Sequence, residues 1–188
     1  MLRIGKLSFA VALATVACLA LLSPQLVAED AGAPGELSFK AHNGMYRAEG
    51  SFKKWHFTEV NIPDGNLEQG TVAFEIDLVS VWEKAEKLAA HLRNADFFDV
   101  DKYATATVKI DQVKKTGDGA YEGVATVDLH GHTGEVPVTF EVVNESPLEI
   151  RGTATLNRVA FGIGQPYEEG NDRSIVEDVA ISLSATLN

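Results

Sequence analysis

The sharpest chemical signal in the chain is His130-Gly131-His132. Two imidazoles two residues apart on a strand share a face and can present two nitrogens to one metal ion. A metal site needs a third ligand, and no further histidine or paired carboxylate stands near these two in sequence. Gly131 also reads as a turn residue, which would separate the rings, so a turn-capping or surface pair is expected rather than a metal site. Gly162-Ile163-Gly164 opens like a dinucleotide fingerprint, but Tyr167 occupies the third glycine position and no crossover helix follows. No G-x-S-x-G nucleophile elbow occurs. The other histidines and acids lack the spacing that would assign them acid–base roles. The residue types therefore predict no catalytic site, no metal and no cofactor.

Chemistry that is absent shifts attention to the elements and what they could enclose. The 188 residues are 45% hydrophobic and 23% charged, enough for one sizeable core. Lys and Arg number 16 against 27 Asp and Glu, a net charge of −11. Such a surface repels phosphate backbones and anionic lipid headgroups, which argues against nucleic acid as a partner.

Arg3 and Lys6 precede an uncharged run of 16 residues, Leu7 to Leu22, followed by SPQLVA and the acidic pair Glu29-Asp30. This is the layout of a secretory signal peptide spanning residues 1–28, with cleavage after Ala28. The run is shorter than the roughly 20 residues of a spanning helix, so no stable membrane insertion is expected after processing. The single cysteine, Cys18, lies inside this run. Lipidation there is the minority reading, because four more apolar residues follow it. The processed chain would carry no thiol, hence no disulfide, cysteine nucleophile or thiolate metal site. Residues 29–35 read as a flexible leader and 36–188 as one domain.

Most of that domain repeats with period two. Val72, Phe74, Ile76 and Leu78 alternate with polar or small residues, as do Val136, Val138, Phe140 and Val142, and Val179, Ile181, Leu183, Ala185 and Leu187. Residues 106–113, 121–129 and 148–156 follow the pattern more weakly. Each predicts a strand with one buried face. Breakers at Pro63-Asp64-Gly65, Gly117-Asp118-Gly119, Gly131 to Gly134 and Ser146-Pro147 give hairpin spacing. One segment, Trp82 to Asn94, places Ala85, Leu88, Ala89 and Leu92 at helical spacing, and the Phe97-Phe98 pair follows in a loop. The fold class is therefore all-β: an antiparallel barrel of about eight strands with one short helix. Its inward set mixes large residues (Phe74, Phe140, Leu183) with small ones (Gly123, Ala125, Gly152, Ala154, Ala185). Periodicity alone leaves open whether these interdigitate or leave a cavity.

Three stretches carry a family resemblance: His91 to Val108 (HLRNADFFDVDKYATATV), Val127 to Val142 (VDLHGHTGEVPVTFEV) and Leu156 to Gly164 (LNRVAFGIG). In this order they resemble the YceI-like family of secreted lipid- and polyisoprenoid-binding proteins, over roughly residues 36–188. Ala90, Ala104 and His132 depart from the family pattern. The resemblance implies an extended lipocalin-like barrel around a long apolar ligand, periplasmic or secreted, with frequent homodimers and no catalytic residues to carry over. Candidate wall or lid residues are Phe74, Ile76, Phe97, Phe98, Val127, Phe140, Phe161 and Leu183. His91, Arg93 and Arg158 are candidates for a polar head. Structural roles compete: Arg93 pairing with Asp96 or Asp99, and Arg158 satisfying loop carbonyls, which is the preferred role for Arg158. The expected function is a carrier of a polyisoprenoid, isoprenoid quinone or fatty-acyl lipid. An enzyme or stress-related factor acting on such a lipid is one alternative, and a filled barrel serving protein interaction is another.

Overall fold

The computed structural model describes residues 33–187; the expected signal peptide, Cys18 within it and the first residues of the expected leader lie outside them. Ten strands form one strongly curled antiparallel sheet: β1 (Gly35–His42), β2 (Arg47–Phe52), β3 (Trp55–Asn61), β4 (Thr71–Asp77), β5 (Val81–Glu83), β6 (Thr105–Lys115), β7 (Ala120–Leu129), β8 (His132–Glu145), β9 (Leu148–Asn157) and β10 (Asp178–Leu187). The sheet order is β3-β4-β6-β7-β8-β9-β10-β1-β2-β5. The two strands beyond the expected eight arise from kinks. β2 and β3 are one pass of chain bent at Lys53-Lys54, and β4 and β5 are one pass interrupted by the 3-10 turn Leu78–Ser80. The kinked passes run side by side, β3 against β4 and β2 against β5. The ends of the sheet order, β3 and β5, belong to these same two neighbouring passes, so the sheet curls back on itself in the lipocalin-like manner.

Residues read as strands by alternation are strands, with three adjustments. Leu78 leaves the ladder for the 3-10 turn but still points inward, at 1% exposure. Gly134 is not a turn residue; it lies in β8 opposite Val127. The helix α1 covers only Glu86–Arg93, so the expected start at Trp82 is corrected. Trp82 is a strand residue because Val81 and Glu83 both turn inward around it and the three residues pair with Phe52, Ser51 and Gly50. Helical spacing of the alanines downstream had masked this short alternation.

The His130-Gly131 pair makes the two-residue β7–β8 hairpin, with positive φ at both central residues (55° and 77°), as a type I′ turn requires. The core has one large cluster along the sheet interior, where Trp55, Phe57 and Phe74 pack edge to face. A second, smaller cluster (Phe39, Val81, Leu92, Val179) lies under α1. The helix thus covers one end of the curled sheet.

Candidate functional site

Inside the sheet runs a cavity of about 360 Å³, within the size range of small-molecule pockets. Its origin is visible strand by strand. On β4 the inward residues Phe74 and Ile76 are closed off at 4% and 8% exposure. On β8 to β10 the equivalent inward residues Val138, Phe140, Gly152, Ala154, Ile181 and Leu183 are only half-buried. They face space rather than opposite side chains, because Gly152 and Ala154 are too small to reach across. Gly152 lies opposite Phe140 and Leu183 in the ladders, and Ala154 opposite Val138 and Ile181.

Nine of the eleven candidate residues line this cavity: Phe74, Ile76, Phe97, Phe98, Val127, Phe140, Leu183, His91 and Arg158. Phe161 and Arg93 do not. Phe161 is core at 4% exposure, and its ring fills the space where a Cβ on Gly134 would stand. Arg93 is turned toward backbone: Nε donates to the Val79 carbonyl at 2.9 Å and Nη2 to the Val81 carbonyl at 2.6 Å. Pairing of Arg93 with Asp96 or Asp99 is therefore corrected: the guanidinium is held by these two carbonyls, and none of the ion pairs among the described residues involves it. Of the small residues expected inside, Ala125, Gly152 and Ala154 line the cavity, while Gly123 and Ala185 are packed away from it.

Phe97 and Phe98 hold their places through the chain reversal after α1, where the amide of Phe98 donates to the Leu92 carbonyl at 3.0 Å. Phe98 then meets Phe52 edge-on with ring centroids 5.7 Å apart, and Phe97 meets His91 at 4.9 Å.

Polar groups gather at the helix end of the cavity. His42, Asn43 and Tyr46, from the β1–β2 hairpin, line it together with His91 and Arg158. The Val176 amide donates to the His42 carbonyl at 3.0 Å, which joins this hairpin to the Arg158 loop. The Tyr46 hydroxyl donates to Oε1 of the buried Glu83 at 2.9 Å, and the Ala85 amide donates to Oε2. The hydrogen bond to Glu83, with desolvation and the carboxylate charge behind it, raises the Tyr46 phenol above its ordinary pKa. The hairpin residues were missed in the sequence; Asn43-Gly44 is a turn signal that would have placed the hairpin, though not its contacts.

Arg158 is 5% exposed. Its Nε donates to the Val176 carbonyl (3.1 Å), Nη1 to Ile163 (2.8 Å) and Nη2 to Ile175 (2.6 Å). Burial lowers its pKa, against the opposing field of Glu177. The FGIG turn accommodates this cradle: Gly162 and Gly164 have φ of 70° and 67°, and a Cβ on Gly164 would sit 2.8 Å from Arg158 Nη1. A side chain is excluded there on both counts.

The His130 and His132 rings stack with centroids 6.5 Å apart, and His130 lies 4.7 Å from the ring of Tyr103. Among the described residues no group of three or more His, Cys, Asp or Glu is arranged to hold a metal ion. None of their helices is long and apolar enough to cross a membrane.

A strongly curled antiparallel sheet around a carbon-lined cavity, with polar groups at one end, defines a lipocalin-like protein. The chain belongs to the YceI-like domain family, whose model matches residues 31–187. It is similar to a UPF0312 protein of Vibrio cholerae, 30% identical over 145 residues, 73% of this chain and 76% of that one. A UPF0312 protein of Pseudomonas putida is 29% identical over 142 residues, 67% of this chain and 69% of the relative. Among solved structures, Burkholderia cenocepacia BcnA superposes with a TM-score of 0.73 at 21% identity, covering 82% of this chain and 96% of BcnA. A polyisoprenoid binding domain from Saccharophagus degradans, implicated in plant cell wall breakdown, gives 0.58 at 16% identity, covering 81% and 94%.

Proposed function

We propose that the protein binds one long apolar molecule in the cavity, a polyisoprenoid, isoprenoid quinone or fatty-acyl lipid, and carries it unchanged in the periplasm or outside the cell. The observation that carries this reading is the half-buried inward face of β8 to β10, lining a cavity with almost no polar group away from its helix end. A carbon-lined cavity gains nothing from holding water. A chain burying about ten methylenes gains roughly 8 kcal/mol at about 0.8 kcal/mol each, which before ordering costs corresponds to micromolar binding. The polyisoprenoid binding domain of similar fold supports the ligand class. The N-terminal pattern supports export.

In this reading Phe97 and Phe98 form the wall beside the entrance, and His91 and Arg158 stand where a polar head would end. Arg158 retains two N–H groups beyond its three carbonyl partners. Native mass spectrometry of gently purified protein, followed by lipid extraction, tests the proposal. One apolar molecule per chain at reproducible stoichiometry is expected. Protein that is empty after gentle purification and takes up none of these lipids would favour the filled-barrel alternative, and conversion of the bound lipid would favour an enzyme.

A further inference from the structure

On the outside of the kinked corner, Val79 and Trp82 stand 47% and 49% exposed. They are held close together: the Lys53 amide donates to the Ser80 carbonyl, the Lys54 amide to the Ser80 hydroxyl, and Arg93 bonds the carbonyls of Val79 and Val81. Cations surround them. Lys53 Nζ lies 4.5 Å over the Trp82 ring, Arg93 bridges the backbone on either side of Ser80, and exposed Lys54 and Lys84 flank the same strands.

The ion pairs among the described residues are Lys40–Glu49, Lys109–Asp111 and Arg151–Glu141. None uses a cation of this corner. The nearby acids offset part of this charge: Glu83 is buried and bonded to Tyr46 and Ala85, Asp77 accepts from the Val79 amide, and Glu86 is exposed on α1. Glu49, on the strand beside Lys84, is paired with Lys40, so the cations of the corner exceed the remaining carboxylates by a small margin. In a chain of net charge −11, a local positive rim around an exposed indole is conspicuous. Screening over about 8 Å at physiological salt lets this rim act apart from the distant acids.

We propose that this corner docks on an anionic bilayer, with Trp82 and Val79 entering the headgroup region and Lys53, Lys54, Lys84 and Arg93 meeting lipid phosphates. A Trp placed beside unpaired cations is suited to the bilayer interface, whose polarity matches an amphipathic ring. Each lysine near an anionic surface contributes about a factor of five in partitioning. The average repulsion expected of so acidic a surface is thus reversed at one corner. Docking would bring α1, which covers the polar end of the cavity, close to the membrane.

The two tryptophans make the test specific. Trp55 is 3% exposed, so a change in emission on adding vesicles reports Trp82. The full chain is mixed with phosphatidylcholine vesicles, or with vesicles in which about a third of the lipid is phosphatidylglycerol. Expected are a blue shift and quenching by acyl-brominated lipid with the anionic vesicles only. Lys53→Gln with Lys54→Gln should weaken partitioning about 30-fold, Trp82→Phe should abolish the shift, and Lys109→Gln with Lys114→Gln should leave it unchanged. An equal response to neutral vesicles, no response in the parent protein, or an unaltered response in the Lys53/Lys54 variant overturns the proposal. So does a fall in oligomeric state on Trp82→Ala without vesicles, which assigns the face to a second copy. Lipid retained in the cavity, read by mass spectrometry on the same samples, reports separately on the carrier reading.

Discussion

Replacing Phe98 by Ala separates a cavity wall from plain core. A fully packed Phe→Ala change costs about 3–5 kcal/mol, part of it for the void left behind. Phe98 is half-buried, lines the cavity and contacts Phe52 edge-on at 5.7 Å. Removing its ring widens an existing space rather than opening a new closed one, so much of the void cost is absent. What remains is the aromatic pair, about 0.5–1.5 kcal/mol, and part of the transfer energy, for an expected loss of about 2 kcal/mol. On the ligand side, a quarter of a buried Phe surface is about 50 Å². At about 25 cal/mol per Å² its contact is worth about 1.3 kcal/mol, or roughly tenfold in affinity. Urea unfolding of delipidated protein gives the first number, and competitive displacement of a fluorescent fatty acid gives the second. A stability loss above about 4 kcal/mol with unchanged affinity would refute the argument and make Phe98 core.

Ala154→Trp should place an indole in the cavity, expel the ligand and leave stability within about 1 kcal/mol; an overpacked interior would instead lose about 1–3 kcal/mol and keep whatever it bound. Arg158→Met removes three donors from the carbonyls of Ile163, Ile175 and Val176, with an expected cost of at least 3 kcal/mol and faster amide exchange across 163–176. Arg158→Lys should recover only part of that stability, since one ammonium cannot span three directions. The raised Tyr46 pKa means the folded state holds the phenolic proton more tightly than the unfolded state does. Its contribution is complete below the ordinary tyrosine pKa and lost as pH rises through the raised one. Ultraviolet titration of Glu83→Gln should bring one tyrosine back toward the ordinary value.

The architecture was legible where burial is one-sided and local. β4 and β6 to β10 alternate because one face meets the interior and the other meets water. β2, with the sequence RAEGSF, offers little apolar contrast, and the kinks at Lys53-Lys54 and Leu78–Ser80 break two passes where no Gly or Pro warns of it. The cavity-lining residues on strands, Phe74, Ile76, Val127, Phe140 and Leu183, were legible for the same local reason that the strands were, whereas Phe97 and Phe98 came from the aromatic pair after the helix and the motif that contains it. The polar end was not legible, because it is assembled from distant parts of the chain: Tyr46 meets Glu83 37 positions away, and the end of β1 at His42 meets Val176, just before the neighbouring strand β10. Arg93 misled because its sequence neighbours are acids, whereas its hydrogen-bond partners are carbonyls of the 3-10 turn and of β5 before the helix.

The motifs that carry the resemblance turn out to be mostly clamps. Arg93 ties the end of α1 to the β5 corner, Arg158 gathers three carbonyls of the loop before β10, and His130-Gly131 forms a hairpin turn. Such roles tolerate little substitution, because a guanidinium fork or a positive φ has few replacements. The wall of the cavity is made of Val, Ile, Leu, Phe and Ala at positions where any apolar residue of suitable volume maintains the barrel. Under the proposed carrier reading, the side-chain volumes at 125, 138, 152, 154, 181 and 183 would set how much of an apolar chain is admitted, while the clamps hold the frame constant around it.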